Sequence, residues 1–386
     1  MDIVVHQSMT SFDANQWNSL LPSNNPFMRH EFLLGLEQSN CVCERLGWQS
    51  AHIAVYSSET ENTSTKGRLI GAMPCYIKGH SYGEYIFDWS WADAHHRHGL
   101  EYYPKLSNAV PFTPATGERL LISAQHDRQT LEKALIDKAI ELCETQNLSS
   151  FHSLFIEQQQ ADALKRLGCL TRHSSQFHWQ NKEYKTFDDF LSLLSSKKRK
   201  NIKRERRRVR ETGIRYEWLS GDQLNQAAVD TMYRFYSRTI QYYGAQSYLN
   251  KDFFNYLASN FNQQTLFLFA SFEDKTIAGG LYFKSDDTLY GRYWGALDNF
   301  HSVHFETCYY QAIEWCIANS YQRFEAGAQG EHKLARGLEP STTYSAHWIA
   351  HPGFRDAIDD FLVSEQEHMQ HYKAQMQSHS PFKTEL

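Results

Sequence analysis

Gly67-Arg-Leu-Ile-Gly-Ala-Met-Pro-Cys-Tyr-Ile-Lys78 is echoed by Lys275-Thr-Ile-Ala-Gly-Gly-Leu-Tyr-Phe-Lys284, at an offset of about 206 residues. Each run reads as an apolar strand with glycine where a neighbouring element comes close. What flanks them repeats as well. A strand candidate precedes each run (Ser50–Tyr56 and Thr265–Phe272), and an aromatic strand candidate follows (Glu84–Trp89 and Leu289–Gly295). Next come an amphipathic helix (Leu131–Cys143 and Glu306–Ala318) and a short strand (Phe151–Ile156 and Tyr321–Ala326). A period this long is two copies of a domain, not a solenoid. Short hairpin-like spacings between the strands predict, in each copy, a mixed and mostly antiparallel sheet flanked by helices. The chain is therefore an α/β protein of the α+β kind.

The bulk numbers agree with two domains. At 386 residues the chain exceeds what one hydrophobic core organises, and 41% hydrophobic residues suffice for two. The boundary is expected at 183/184, giving domains 1–183 and 184–386. There Thr186-Phe-Asp-Asp189 has the form of a capping box that opens a helix. Phe187, Phe190, Leu194, Ile202 and Val209 fall near one face, so one helix, or two broken at Ser195-Ser196, leads to a stop at Gly213. Irregular chain is expected at Ser57–Lys66 and after Met376.

This helical region also carries the charge anomaly. The net charge is -5, yet Lys197 to Arg210 holds ten Lys or Arg and one acid, leaving the remainder at -14. Ten cations on one stripe repel one another, which points to an anionic partner for Lys197, Lys198, Arg199, Lys200, Lys203, Arg204 and Arg207. No nucleic-acid-binding motif accompanies them, which favours a phosphate-bearing substrate over a plain nucleic-acid module. Seven scattered cysteines read as reduced core thiols, and Cys41-x-Cys43 lacks a second pair, so no metal is expected. His95-His96-Arg97-His98 beside Asp93 reads as a polar loop. No apolar run is long enough to span a membrane, and the N-terminus lacks a basic-then-apolar leader. A cytoplasmic protein is expected, with peripheral contact at an anionic inner membrane face as a further option.

The segment richest in chemistry is Glu325-Ala-Gly-Ala-Gln-Gly-Glu-His-Lys-Leu-Ala-Arg-Gly337. It sets two carboxylates, an imidazole, an ammonium and a guanidinium among glycines that let backbone approach a ligand. Together with Phe87-Asp-Trp-Ser-Trp-Ala-Asp93, the basic run, Tyr290-Gly-Arg-Tyr-Trp-Gly295 and His304-Phe-Glu-Thr-Cys-Tyr-Tyr310, it resembles the bacterial FemAB-like predicted N-acyltransferases. The doubled strand pattern is similar to a tandem GNAT acyltransferase fold. That resemblance implies an enzyme that forms amide bonds, moving an acyl or aminoacyl group from acyl-CoA or aminoacyl-tRNA to an amine held between the domains. It implies no permanently bound cofactor. It also puts Lys333 in the place of the lysine that such peptidyltransferases use in transfer, where a cation in a water-poor cleft would stabilise the developing oxyanion. Two features of the relatives are absent: the Q/R-x-x-G-x-G/A pyrophosphate loop before the helix near His304, and a long coiled-coil insertion. The basic helix can replace either, since CoA, tRNA, a nucleotide-linked precursor and an anionic lipid all present phosphate.

Roles follow with alternatives left open. Glu331 or His332 is favoured as the base, with Glu325, Glu306 and His304 as further candidates. Glu325 reads equally well as an ion-pair partner of Arg292 or Arg336. Arg336 supplements Lys333 or holds a phosphate or carboxylate. Asp88, Trp89 and Asp93, and in the second copy Arg292, Trp294, Tyr309 and Gln329, are candidate walls for an amino-bearing acceptor, although Trp is equally a core residue. Tyr102, Tyr103 and Lys105 read as an irregular wall. The rival function is a non-catalytic binder of nucleic acid or anionic lipid on a degenerate transferase scaffold.

Overall fold

Pro74 cuts the first of the two repeated runs into two strands, because proline offers no N–H to a ladder. The computed structural model describes residues 1–58, 67–298, 300, 302–328 and 330–383. Most of the expected irregular segment at Ser57–Lys66, and Gln329, lie outside them. The strands are β1 (Asp2–His6), β2 (Trp48–Ser50), β3 (His52–Tyr56), β4 (Leu69–Met73), β5 (Cys75–Lys78), β6 (Lys105–Asn108), β7 (Leu121–Ile122) and β8 (Ser150–Ile156). The remainder are β9 (Leu170–Gln180), β10 (Arg215–Ser220), β11 (Thr265–Phe272), β12 (Lys275–Lys284), β13 (Thr288–Ala296), β14 (Arg323–Glu325) and β15 (Glu339–Ile349).

The chain forms two compact units, Met1–Ser174 with Thr342–Gln370, and Ser175–Ser341 with His371–Leu386. These limits differ from the expected 183/184 division. β9 enters the second unit before residue 183, where His178, Trp179 and Gln180 pair with β14. Thr342–Gln370 returns to the first unit because Tyr344–Ile349 of β15 pairs with β8. Each copy of the repeat is thus closed by a strand that lies outside its own stretch of sequence.

In the first unit β1-β3-β4-β7 form one antiparallel sheet. β5 pairs antiparallel with β2 and with β6, and β6 pairs parallel with β8. Helix Arg128–Thr145 is capped by Asp127, which accepts from the Thr130 amide, and buries Leu131, Leu135, Ile136, Ala139 and Leu142 at helical spacing. They pack on Ile53, Ile70, Met73, Leu106 and Phe151, each aliphatic side chain contributing about 1.5–3 kcal/mol of burial.

The expected strand at Glu84–Trp89 does not form. Helix Trp89–Arg97 starts there, and β6 takes the position between β5 and β8 that β13 holds between β12 and β14. The reason is electrostatic. Lys105 opens β6 instead of forming an irregular wall, and its buried ammonium lies 2.7 Å from Glu84 and 2.5 Å from Asp88, pinning that segment off the sheet. His95, His96 and Arg97 belong to the helix and not to a loop. His95 is buried and stacks on Phe354 at 3.8 Å.

In the second unit the order is β10-β11-β12-β13-β14-β9, antiparallel except for β13 with β14. Helix Gln226–Tyr242 packs on β12 and β13. A Cβ at Gly295 would stand 2.1 Å from the Phe235 carbonyl, so the glycine permits the close approach. The capping box at Thr186 and Asp189 is formed and opens helix Phe187–Leu193; the basic helix follows as a separate element, Ser196–Glu211. Contrary to expectation, the described part of the tail after Met376, to residue 383, is structured. Helix Pro352–Ser378 passes that point, and Phe382 bridges to Leu194. No helix among the described residues is long and apolar enough to cross a membrane.

Candidate active site

β13 and β14 run parallel only from Thr288–Tyr290 and Arg323–Glu325, after which β13 continues to Ala296 and β14 stops. Against β12, Tyr282 pairs with Gly291 and Leu281 with Tyr293, so Arg292 is the extra residue of a bulge. Beyond β14 the chain turns into a 3-10 helix, Glu331–Arg336, bounded by Gly330 at φ 120° and Gly337 at φ 87°. Both values suit glycine alone among common residues, and a Cβ at Gly337 would meet the Phe190 ring at 2.5 Å.

This short helix aims Lys333 inward. The side chain is buried, and Nζ donates to the Gly327 carbonyl at 2.8 Å. Burial pushes the ammonium down to about 8, the Cys308 thiol opposing the shift. At pH 7 Lys333 therefore carries charge, in a place where charge is costly and no carboxylate of the described residues pairs with it.

Two imidazoles stand beside it. His332 Nε2 lies 2.8 Å from the Tyr309 hydroxyl, and burial with Arg336 and Lys333 lowers its pKa. His304, against Trp294 at 4.8 Å and His332 at 6.4 Å, is pushed down to about 4 by burial and then by His332, Arg336 and Lys333. Both rings are neutral near pH 7 and able to accept a proton. The helix after β13 is wound as a π-helix over Glu306–Tyr310, and this stretch sends Tyr309 to His332 and Tyr310 to Glu205.

The other expected residues are less available. The Arg336 guanidinium lies 3.4 Å over the Phe305 ring. Its Nη1 donates to the His332 carbonyl at 2.9 Å, and its Nη2 is 3.5 Å from both Glu205 oxygens. Its fork is occupied within the protein. Glu325 is buried with Oε1 3.2 Å from Arg323 and Oε2 4.0 Å from His178, its neighbour across the ladder. It therefore forms an ion pair with Arg323, two residues away on the same strand face. Glu331 is exposed and accepts from Tyr372 at 3.1 Å. Glu306 is buried, 3.0 Å from Arg206 and 2.8 Å from Gln311. Arg292 is half-buried, 5.4 Å from the Tyr293 ring, and Trp294 lines a cavity beside His304.

On the basic helix, Arg199, Lys200, Lys203, Arg204 and Arg207 line a groove of about 800 Å³ with helix Phe187–Leu193; Lys197 and Lys198 are not among its walls. Asp188 and Glu314 temper the charge there, Asp188 lying 3.0 Å from Lys203. Arg206, absent from the expected set, ties the helix down through Glu306 and through Glu314 at 2.5 Å. Its place was readable, because Ile202, Arg206 and Val209 share one helical face.

In the first unit the structure does not bring Asp88, Trp89 and Asp93 together. Asp88 is buried against Lys105 and accepts from the Tyr102 hydroxyl at 2.6 Å. Trp89 is exposed beside Tyr82, and Asp93 is exposed in a pair with Arg97 at 3.2 Å.

Comparison with curated proteins found no match. Among solved structures, FemX is 10% identical with a TM-score of 0.54, over 93% of this chain and 100% of that one. L-PGS from Bacillus licheniformis is 9% identical with a TM-score of 0.50, over 89% and 98%. At such identities the likeness is one of fold. The FemAB-like family model, described as peptidoglycan biosynthesis/recognition, matches residues 8–384. The chain belongs to the FemAB-like family.

Proposed function

We propose that this protein is an N-acyltransferase that moves an acyl or aminoacyl group from an activated donor, acyl-CoA or aminoacyl-tRNA, to an amine. The observation that carries the reading is the Lys333 ammonium, buried, bonded to one carbonyl and lowered to about 8 beside two neutral imidazoles. When an amine attacks an acyl carbonyl, the carbonyl oxygen gains negative charge. A cation already desolvated at that point stabilises the tetrahedral state more than the neutral carbonyl. The attacking nitrogen must lose a proton, for which His332 is the accessible acceptor; its bond to Tyr309 holds the ring in place. Collapse of the intermediate breaks the thioester C–S or ester C–O bond and expels the thiolate of CoA or the ribose alkoxide of tRNA, which takes up the proton that His332 removed from the amine. The basic groove is suited to the phosphates of donor or acceptor.

The groove also supports a second reading, in which the protein binds nucleic acid or the anionic face of a membrane without catalysis. A thermal-shift titration with acyl-CoA thioesters of increasing length, free CoA, and charged and uncharged tRNA separates the two, because a ligand of the folded state raises the melting point. A shift from one donor class, followed by turnover that Lys333→Ala abolishes without abolishing binding, is the expected result. Binding of any polyanion, with steep salt dependence and no turnover, would replace it with the second reading.

A further inference from the structure

Glu205 is the one acid among the ten cations of Lys197 to Arg210. Its position on the helix is as telling as its charge. Ile202, Glu205, Arg206 and Val209 are spaced i, i+3, i+4, i+7, so two charged residues occupy the face that a surface helix fills with apolar ones. All four are buried or half-buried, whereas Lys203, Arg204, Arg207 and Arg208 are exposed. Charge on a packed face is costly unless each group finds a partner there.

Both find partners on the elements that build the candidate site. The Tyr310 hydroxyl donates to Glu205 Oε2, and Arg336 Nη2 lies 3.5 Å from both oxygens of the same carboxylate. Arg206 reaches Glu306 at 3.0 Å. Glu306 and Tyr310 begin and end the π-helical stretch whose Tyr309 bonds His332, and Arg336 ends the 3-10 helix that carries His332 and Lys333. Arg336 also donates to the His332 carbonyl, so a single guanidinium joins Glu205 to that residue. The opposite face of the basic helix lines the groove.

We infer that Glu205 is a positioning residue: through Tyr310 and Arg336 it fixes the two segments that carry Tyr309, His332 and Lys333, and it ties them to the helix whose outer face takes the anion. The inference rests on the transfer reading for what His332 and Lys333 do. Its geometry stands without that reading. His332 is faced by Tyr309 and His304 from the preceding helical stretch and by Lys333 and Arg336 from its own helix, and the last two both oppose its protonation. Among the described residues Glu205 is the carboxylate paired with Arg336, so its charge offsets part of that opposition.

Histidine titration of the full chain by NMR tests this without any substrate, with His332→Gln used to assign the signal. Glu205→Gln keeps an acceptor for Tyr310 and loses only the charge. It should move the His332 titration about half a pH unit lower, whereas Arg336→Met should move it higher by a similar amount. Glu205→Asp, which restores the charge, should titrate as the wild type does. In a transfer assay the acid limb of kcat/KM should follow the same shifts. For Glu205→Gln kcat should also fall about 10-fold through misplacement of the site, while affinity for inorganic pyrophosphate is not weakened. A Glu205→Gln protein that is folded by circular dichroism and titrates at His332 as the wild type does overturns the inference. If that variant does not fold, an unmoved His332 titration in Arg336→Met overturns it instead. Transfer that survives Lys333→Ala would remove the catalytic reading and leave the His332 titration result standing.

Discussion

Lys105 in the first unit and Lys333 in the second are both buried and are treated in opposite ways; the first unit also buries Lys78, bonded to the Tyr82 carbonyl and pushed down to about 6 by burial. In the first, Lys105 donates to Glu84, Asp88 and Ser81 at 2.5–2.8 Å; burial pushes its ammonium down, but the two carboxylates outweigh it and hold the pKa above its ordinary value. In the second, Lys333 donates to the Gly327 carbonyl and pairs with no carboxylate of the described residues, and burial brings it down to about 8. The same side chain is a structural pin where its charge is neutralised, and under the transfer reading proposed above it is the reactive group where it is not.

The largest effect is expected where the charges are most tightly matched. Lys105→Met would leave Glu84 and Asp88 buried without a counter-charge and lower stability by about 3–5 kcal/mol, read by urea denaturation. A loss below about 1 kcal/mol would erase the contrast. Lys333→Met should do the reverse, lowering transfer by about 10²–10³-fold while the melting temperature holds or rises. Destabilisation on the scale expected for Lys105 would make Lys333 a structural residue after all.

Acidity should act on both units through different groups, the second holding His178, which burial and then Arg323 and Lys333 push down to about 3. As pH rises through about 8, Lys333 loses its proton, and transfer at saturating substrate should fall with it. In the first unit His152 and His347 face each other across β8 and β15, Nδ1 to Nδ1 at 2.5 Å, held by Ser150 and Ser345. Burial drives both pKa values well below the ordinary 6.5; the cations Lys105 and Arg172 reinforce this and Asp88 opposes it. The unfolded chain takes up protons that the folded pair refuses. The pair's stability is therefore present in full above pH 6.5 and falls as pH drops below it, a trend that His152→Gln should weaken. Equal acid sensitivity in that variant would mean the imidazole pair is not its source.

The smallest effects belong to the basic helix. Arg199→Ala with Arg204→Ala should flatten the salt dependence of polyanion binding, whereas Lys197→Ala with Lys198→Ala should change it less and leave stability within about 0.5 kcal/mol. Equal effects from the two pairs would show that the stripe acts as a diffuse charge and not through its groove.

Much of this was legible in the chain. Strand Thr265–Phe272 falls where its apolar run placed it, and the capping box at Thr186 forms. Lys333 and His332 are brought together because they are close in sequence on one short helix. Asp88 was misjudged for a different reason: its partner Lys105 lies 17 residues away, and nothing local announces a buried ion pair. Glu84–Trp89 has the composition of a strand, yet the pull of Lys105 outweighs that propensity.

By itself the sequence determined the doubled pattern, many of the strands and helices of the second copy, the capping box at Thr186 and the concentration of cations on one helix. Those follow from periodicity, capping and charge, which act over a few residues. Only the tertiary structure decided which strands close each unit, that Glu325 meets Arg323, that Arg336 is occupied by Glu205 and His332, and that Lys333 is buried against the Gly327 carbonyl with no carboxylate of the described residues paired to it. Those depend on burial and on partners distant in sequence. The energy of a buried charge is set by what surrounds it in space, and no local pattern records that.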